Sequence, residues 1–222
     1  MLLRQLEQEL DASRSNASRH PFFSKFSGKK TSVQVQCFAA QWYRAARNHK
    51  KAFPFLIAIT QDDETRRELI EILRDEYGNG EPDRVHAKLL SRFMTEGVGI
   101  SADQIDSLEI IPEVAEFGDT TLRIWRDGDP VVAYGYHYAL ERIAASIHPV
   151  FFEGLRNCGF PSESLEYFRY HSRAEEEHVH ATEAGLLRYE AEGGGEKLRE
   201  GARLGAATLT KMWDGFDRHV FH

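Results

Sequence analysis

The run Tyr167-Phe168-Arg169-Tyr170-His171-Ser172-Arg173-Ala174-Glu175-Glu176-Glu177-His178 sets two histidines and a carboxylate at i, i+4 and i+7. On a helix, at about 100° per residue, His171, Glu175 and His178 fall within roughly 60° of one another. Two neutral imidazoles and a carboxylate converging from consecutive turns make a partial shell for a first-row divalent metal. His180 lies about 180° from His171 on the same wheel, and Glu176 and Glu177 point away as a solvated edge. With ten histidines and 35 acids in 222 residues, this spacing arises by chance roughly 0.07 times per chain. The competing interpretation is a set of surface histidines on an acidic helix.

A metal needs donors from neighbouring elements, and two further islands offer them. In Tyr134-Gly-Tyr-His-Tyr-Ala-Leu-Glu141-Arg-Ile-Ala-Ala-Ser-Ile-His148-Pro, Glu141 shares a helical face with Tyr134, Tyr138, Ala145 and His148, and Gly135 allows a close approach. An acid on such a face is buried, and a buried carboxylate requires a cation or a proton. His137 at i−4 is a rival partner, as is Arg142. The third island, Leu73-Arg-Asp75-Glu76-Tyr-Gly-Asn-Gly-Glu-Pro-Asp-Arg-Val-His86, ends one helix at Glu76 and puts His86 in the first turn of the next. The glycine loop between them folds the two towards each other. The simpler alternative makes Asp75 and Glu76 helix-end acids and His86 an exposed polar residue. Taken together the islands read E-x9-H, E, and H-x3-E-x2-H. Three carboxylates and three imidazoles are what two adjacent irons require.

These residues need long helices to carry them, and the pattern is helical nearly throughout. Leu2–Asp11 is a short amphipathic opening. Thr31–Ile59 repeats small, aromatic and basic residues at helical spacing, with Pro54 expected to kink or divide it. Asp62-Asp63 cap a helix over Arg66–Tyr77, and Gly78-Asn79-Gly80 breaks it. Helix resumes from about Asp83 to Gly97, and Ser101 signals a short capped piece. Glu113–Trp125 follows, then a long helix from Asp127-Gly-Asp-Pro to Cys158. Pro161-Ser162 opens another to Glu192, and a last helix follows Gly193-Gly-Gly. No segment alternates with period two, so the expectation is one all-α domain over residues 1–222.

Composition narrows the function classes. The 28 basic and 35 acidic residues leave a net charge of −7, which argues against a protein that tracks nucleic-acid phosphates. The longest near-apolar run, Ala52–Ile59, is too short to span a bilayer, so no membrane association is expected. The charged N-terminus lacks a signal-peptide core. Cys37 and Cys158 are distant and form no CxxC pair, so a reducing cytoplasm is the default location.

The three islands, "DEYGNG…H", "YHYALER" and "EYFRYHSRAEEEH", resemble in order and spacing those of the heme-oxygenase-like non-heme diiron oxidases and oxygenases, over about Glu71–Leu186. That resemblance implies a heme-oxygenase-like bundle of about seven helices. It also implies two iron ions, O2 as co-substrate, and metal ligands at Glu76, His86, Glu141, His171, Glu175 and His178. One position departs from the family pattern: Glu175 stands where the family usually has Asp. Some members add a carboxylate on the second long helix, where this chain reads Asn48-His49-Lys50-Lys51, so no seventh ligand is assigned. The implied activity is O2-dependent oxidation of a small amino-acid- or amine-like substrate by N-oxygenation, oxidative fragmentation or nitrile formation. Trp42, Tyr43, Tyr134, Tyr138 and Phe168 are candidates for the pocket wall. The expected partners are the small substrate, an external electron donor and a second copy in a homodimer. The alternatives are a fatty-acid decarboxylase on the same scaffold, a metal-independent enzyme resembling the thiaminase-like or pyrroloquinoline-quinone-synthase-like groups, and a non-enzymatic helical binding protein. Heme oxygenase itself is disfavoured, because His20 follows the first helix and precedes a proline.

Overall fold

In a computed structural model, which describes residues 2–107 and 109–222, the chain folds into helices with no strand among the described residues. In chain order these are α1 (Leu2–Ala12), α2 (Pro21–Phe26), α3 (Ser32–Ile59), α4 (Asp63–Glu76), α5 (His86–Arg92), α6 (Ala102–Ser107), α7 (Pro112–Asp127), α8 (Pro130–Arg156), α9 (Glu166–Ala191) and α10 (Gly195–Phe221). Seven of these have eleven residues or more; the total exceeds the expected seven or so because α2, α5 and α6 are additional short pieces.

The ends follow from local chemistry. Thr31 and Gln34 close α3 with a reciprocal capping box, and Asp62 and Asp129 accept the first free N–H groups of α4 and α8. Asn79 sits at φ 52° between Gly78 at φ 80° and Gly80 at φ 90°. Three successive left-handed residues cannot continue α4, so the chain reverses there. His20 caps α2, its Nδ1 accepting from the Phe22 N–H at 3.2 Å while its Nε2 lies 3.3 Å from Asp214. This histidine therefore has a structural task. The sequence pattern does not foresee α2, and the helix expected from about Asp83 begins at His86; two further differences concern the long helices. Pro54 lies inside α3 without dividing it; only five residues follow it in the helix, and buried Phe53 and Leu56 hold that end in the core. The long helix expected from Pro161 begins at Glu166, because Pro161–Leu165 forms turns closed by Ser164 and Leu165 N–H bonds.

The pairs α8–α9 and α8–α10 form the centre. A Cβ on Gly201 would run into the Val132 carbonyl oxygen, and one on Gly205 would lie 2.8 Å from the Ala139 Cβ. Only residues without side chains let α8 and α10 approach this closely. Aromatic rings fill one end of the bundle, where Phe22, Phe26, Phe38, Phe151, Trp213 and Phe216 pack mostly edge-on or tilted, with Phe22 stacked on Trp213 and Phe38. Polar ties hold the other elements to this frame. Arg188 on α9 reaches Asp62 at 3.1 Å, Thr65 at 3.0 Å and Glu68, binding α4 to α9. Arg92 on α5 pairs with Glu166 on α9 at 3.2 Å. Lys50 on α3 donates to the Glu76 carbonyl at 2.6 Å, which fixes the last turn of α4. No helix among the described residues is long and apolar enough to cross a membrane.

Candidate metal centre

His171, Glu175 and His178 project from one face of α9, and all three are buried. The other three candidates come to meet them from α4, α5 and α8. The six divide into two groups: Glu76, His86 and His171 in one, Glu141, Glu175 and His178 in the other. Within each group one donor atom per residue lies within 4.8 Å of the others. Because α9 supplies members to both, the groups are neighbours along it, with His171 and Glu175 separated by about 6 Å of helix rise.

In the first group the Nδ1 of His86 is 3.1 Å from Glu76 Oε1, and the Nε2 of His171 is 3.6 Å from the same oxygen. His86 is 2% exposed, which removes the simpler view of it as an exposed polar residue. In the second, the Nδ1 of His178 lies 3.4 Å from Glu141 Oε2 and 3.9 Å from Glu175 Oε2. His137 also approaches Glu141, its Nδ1 3.4 Å from Oε1, so the rival partner stands beside the acid as well. Arg142 does not; it pairs with Asp11 at 2.9 Å. His180 is exposed and bound to Glu183, as its place on the wheel implies.

The buried charges explain one another. Burial opposes ionisation of Glu76, yet His171 and His86 hold its carboxyl well below the usual range. Burial likewise works against Glu141, but His137 and His178 bring it down to about 2. Glu175 goes the other way: burial and the nearby Glu141 charge push it up to about 8, so it keeps a proton at neutral pH. Burial penalises the His178 cation, but Asp75 and Glu141 raise its pKa well above the ordinary value. For His171, burial prevails and lowers the pKa, leaving a neutral imidazole.

A divalent metal fits this donor set. The Nδ1 of buried His86 meets Glu76 Oε1 at 3.1 Å without hydrogen-bond geometry, a poor contact that a metal between the two would replace. The opposite nitrogens are held from outside: His171 Nδ1 donates to the Tyr167 carbonyl at 2.8 Å, and His178 Nε2 lies 3.2 Å from Asp75 Oδ2. Three carboxylates and three imidazoles form a mixed oxygen and nitrogen set suited to iron.

The groups open on a cavity of ≈ 100 Å3, room for several water-sized groups. Its wall is mainly apolar, including Phe53, Ile72, Leu140 and Met212, with His49, Lys50 and His148 as polar members. Of the aromatic residues proposed for the pocket, Trp42 lines this cavity. Tyr43 lines a neighbouring depression beside Tyr77 and Val85. Tyr134, Tyr138 and Phe168 belong to neither wall. Tyr134 donates to the Thr182 carbonyl at 3.0 Å and tilts against Tyr189, Tyr138 is buried in α8 packing, and Phe168 packs on Phe93 and Phe38. Helical spacing placed these three in the core, where aromatic residues contribute most by burial.

Four residues at the centre carry no assigned role in the sequence pattern. His148 is fully enclosed, its Nδ1 3.1 Å from Glu175 Oε1 and its ring 4.8 Å from that of His171. Its position seven residues after Glu141 was the available signal. His49 and Lys50 on α3 reach the cavity, although no carboxylate stands there. Asp75, which reads as a helix-end acid, faces the outer side of two of the histidines.

Residues 36–210 match the model of a family described as iron-containing redox enzymes. The chain belongs to that family. It is similar to the 4-aminobenzoate synthase of Chlamydia muridarum, at 30% identity over 89% of this chain and 83% of that one. It is also similar to the 4-chloro-allylglycine synthase of Streptantibioticus cattleyicolor, at 22% identity over 70% of this chain and 60% of the other. Among solved structures, a CADD-like protein of unknown function from Nostoc punctiforme superposes with a TM-score of 0.84 at 16% identity, covering 100% of this chain and 97% of that one. A domain from Shewanella denitrificans with a heme oxygenase-like fold gives 0.69 at 17% identity, over 96% and 90% of the two chains. The fold of this iron-containing redox enzyme is therefore heme-oxygenase-like.

Proposed function

We propose that the chain is an O2-activating diiron oxidase or oxygenase acting on a small amino-acid- or amine-like substrate. The observation that carries the reading is the division of six buried or partly buried donors into two adjacent groups, five of whose members line one cavity. Glu76, His86 and His171 would hold one iron, and Glu141, Glu175 and His178 the other. When bound, the irons would supply the electrons and open coordination positions that O2 activation needs.

The chain's own residues supply the rest. The apolar wall around Trp42, Phe53 and Leu140 excludes bulk water and shapes the space beside the metals. Lys50 lines the cavity with a long cationic side chain, and its Nζ is already oriented by the Glu76 carbonyl and the Tyr77 ring, 4.0 Å away. It is suited to hold a substrate carboxylate. Glu175 keeps its proton until a metal displaces it, which prevents two bare carboxylates from facing each other across the second group. The names of the two relatives both describe makers of amino-bearing carboxylates, which supports this substrate class over fatty acids.

The test is anaerobic loading with Fe(II), metal analysis, and an O2-uptake screen with amino acids, amines and fatty acids. Close to two Fe(II) per chain and uptake stimulated by an amino acid or amine are expected. Stoichiometric iron binding in a His171→Ala, His178→Ala double variant would sink the diiron assignment.

A further inference from the structure

A neutral imidazole carries one N–H and one lone pair, so whatever accepts the N–H decides which nitrogen meets a metal. His171 settles this within its own helix, where Nδ1 donates to the Tyr167 carbonyl and Nε2 faces Glu76. His86 and His178 are turned the other way. Their Nδ1 atoms point inward, to Glu76 Oε1 at 3.1 Å and Glu141 Oε2 at 3.4 Å. Their Nε2 atoms point outward to a single oxygen, Asp75 Oδ2, at 3.7 Å from His86 and 3.2 Å from His178. These two histidines come from α5 and α9 and belong to different groups of the centre.

The Asp75 carboxylate is itself fixed. Its Oδ1 accepts from the Tyr170 hydroxyl at 2.5 Å and from Asn79 Nδ2 at 2.6 Å. With that oxygen occupied, Oδ2 is left to the two imidazoles. Asp75 and Glu76 are consecutive residues at the end of α4, one behind the histidines and one in front of them.

We propose that Asp75 is a positioning residue of the metal centre: its Oδ2 accepts the N–H of His178 and, at 3.7 Å, faces that of His86 as a negative charge rather than a hydrogen-bond partner, so that both Nδ1 lone pairs are presented to the two metals. This rests on the metal-centre reading above. It follows that His86 and His178 ligate through Nδ1 whereas His171 ligates through Nε2. It also follows that loss of the carboxylate weakens both groups at once, although Asp75 touches neither metal. Outer partners of this kind are worth about 10–100-fold in metal affinity. A residue that merely secured the Gly78–Gly80 turn would affect only the Glu76/His86 side, and Asn79→Ala would then reproduce its loss.

The experiment loads the full chain with Zn(II), which is diamagnetic, and records histidine 15N spectra together with stepwise Zn(II) titrations of wild type, Asp75→Asn and Asn79→Ala. The expected result is Nδ1 ligation by His86 and His178 in wild type, with about 10–100-fold weaker binding at both steps in Asp75→Asn and a smaller, one-step effect in Asn79→Ala. Nε2 ligation by either histidine overturns the proposal. So does an Asp75→Asn variant with unchanged affinity, or with a loss confined to one step. If Asp75→Asn does not fold, the wild-type spectrum decides alone. Absence of Zn(II) binding by wild type would instead remove the metal-centre reading, and this proposal with it.

Discussion

Metal binding at the Glu141, Glu175 and His178 group should release protons, because its resting charges are arranged around two of them. In the metal-free protein near neutral pH, Glu141 is ionised, Glu175 is protonated with its pKa at about 8, and His178 is an imidazolium. A divalent ion needs the Glu175 carboxylate and the neutral His178 ring, so it exchanges for two protons and leaves the net charge of the group unchanged. Each proton displaced below its pKa makes the affinity rise about tenfold per pH unit, so two protons give about 100-fold, or about 2.7 kcal/mol, between pH 6.5 and 7.5. In the other group Glu76 is ionised and His171 neutral, so neither has a proton to lose near neutral pH. The two binding steps should therefore separate as pH falls. Anaerobic titration calorimetry in buffers of different ionisation heat counts the protons directly, and Glu175→Gln should release one fewer. An affinity flat from pH 6.5 to 7.5, or release of fewer than one proton, would refute the argument.

The same groups set the stability of the metal-free protein. The folded pKa values of Glu175 and His178 lie above their unfolded values, so each contributes stability below its unfolded pKa that is lost as pH rises through the folded one. Thermal melts in chelator should fall between pH 6.5 and 8.5, with a slope of up to about 1.4 kcal/mol per pH unit per group, and the gain on adding metal should grow over that range; a rising melting temperature would contradict this. Glu175→Asp should retain metal binding and activity far better than Glu175→Gln, because it keeps the charge; an active Gln variant beside an inactive Asp variant would show that Glu175 is not a ligand. Gly201→Ala forces a Cβ against the Val132 carbonyl and should cost about 1–3 kcal/mol or more, lowering the melting temperature by about 2–4 °C per kcal/mol at this size. A wild-type melt would mean that α8 and α10 part without penalty.

Much of this molecule was legible in its sequence wherever the physics is local. Helical periodicity alone puts His171, Glu175 and His178 on one face, because residues four and seven apart return to the same side whatever packs there. The caps at Thr31, Asp62 and Asp129 depend on side chains reaching N–H groups two or three residues away, so those helix starts could be read directly. Gly78-Asn79-Gly80 announced its own reversal. Pairing between helices depends instead on how each helix is rotated and how far it slides along its neighbour, which no local pattern encodes. That is why only the tertiary structure decided that Glu76 joins His86 and His171 while Glu141 joins Glu175 and His178. It also decided that Tyr134 and Phe168 face the core rather than the cavity, and that Lys50 turns to the Glu76 carbonyl. Asp75 shows the distinction within a single residue. Its place at the end of α4 is a matter of sequence, but its hold on His178, 103 positions away, exists only once α4 and α9 are packed side by side.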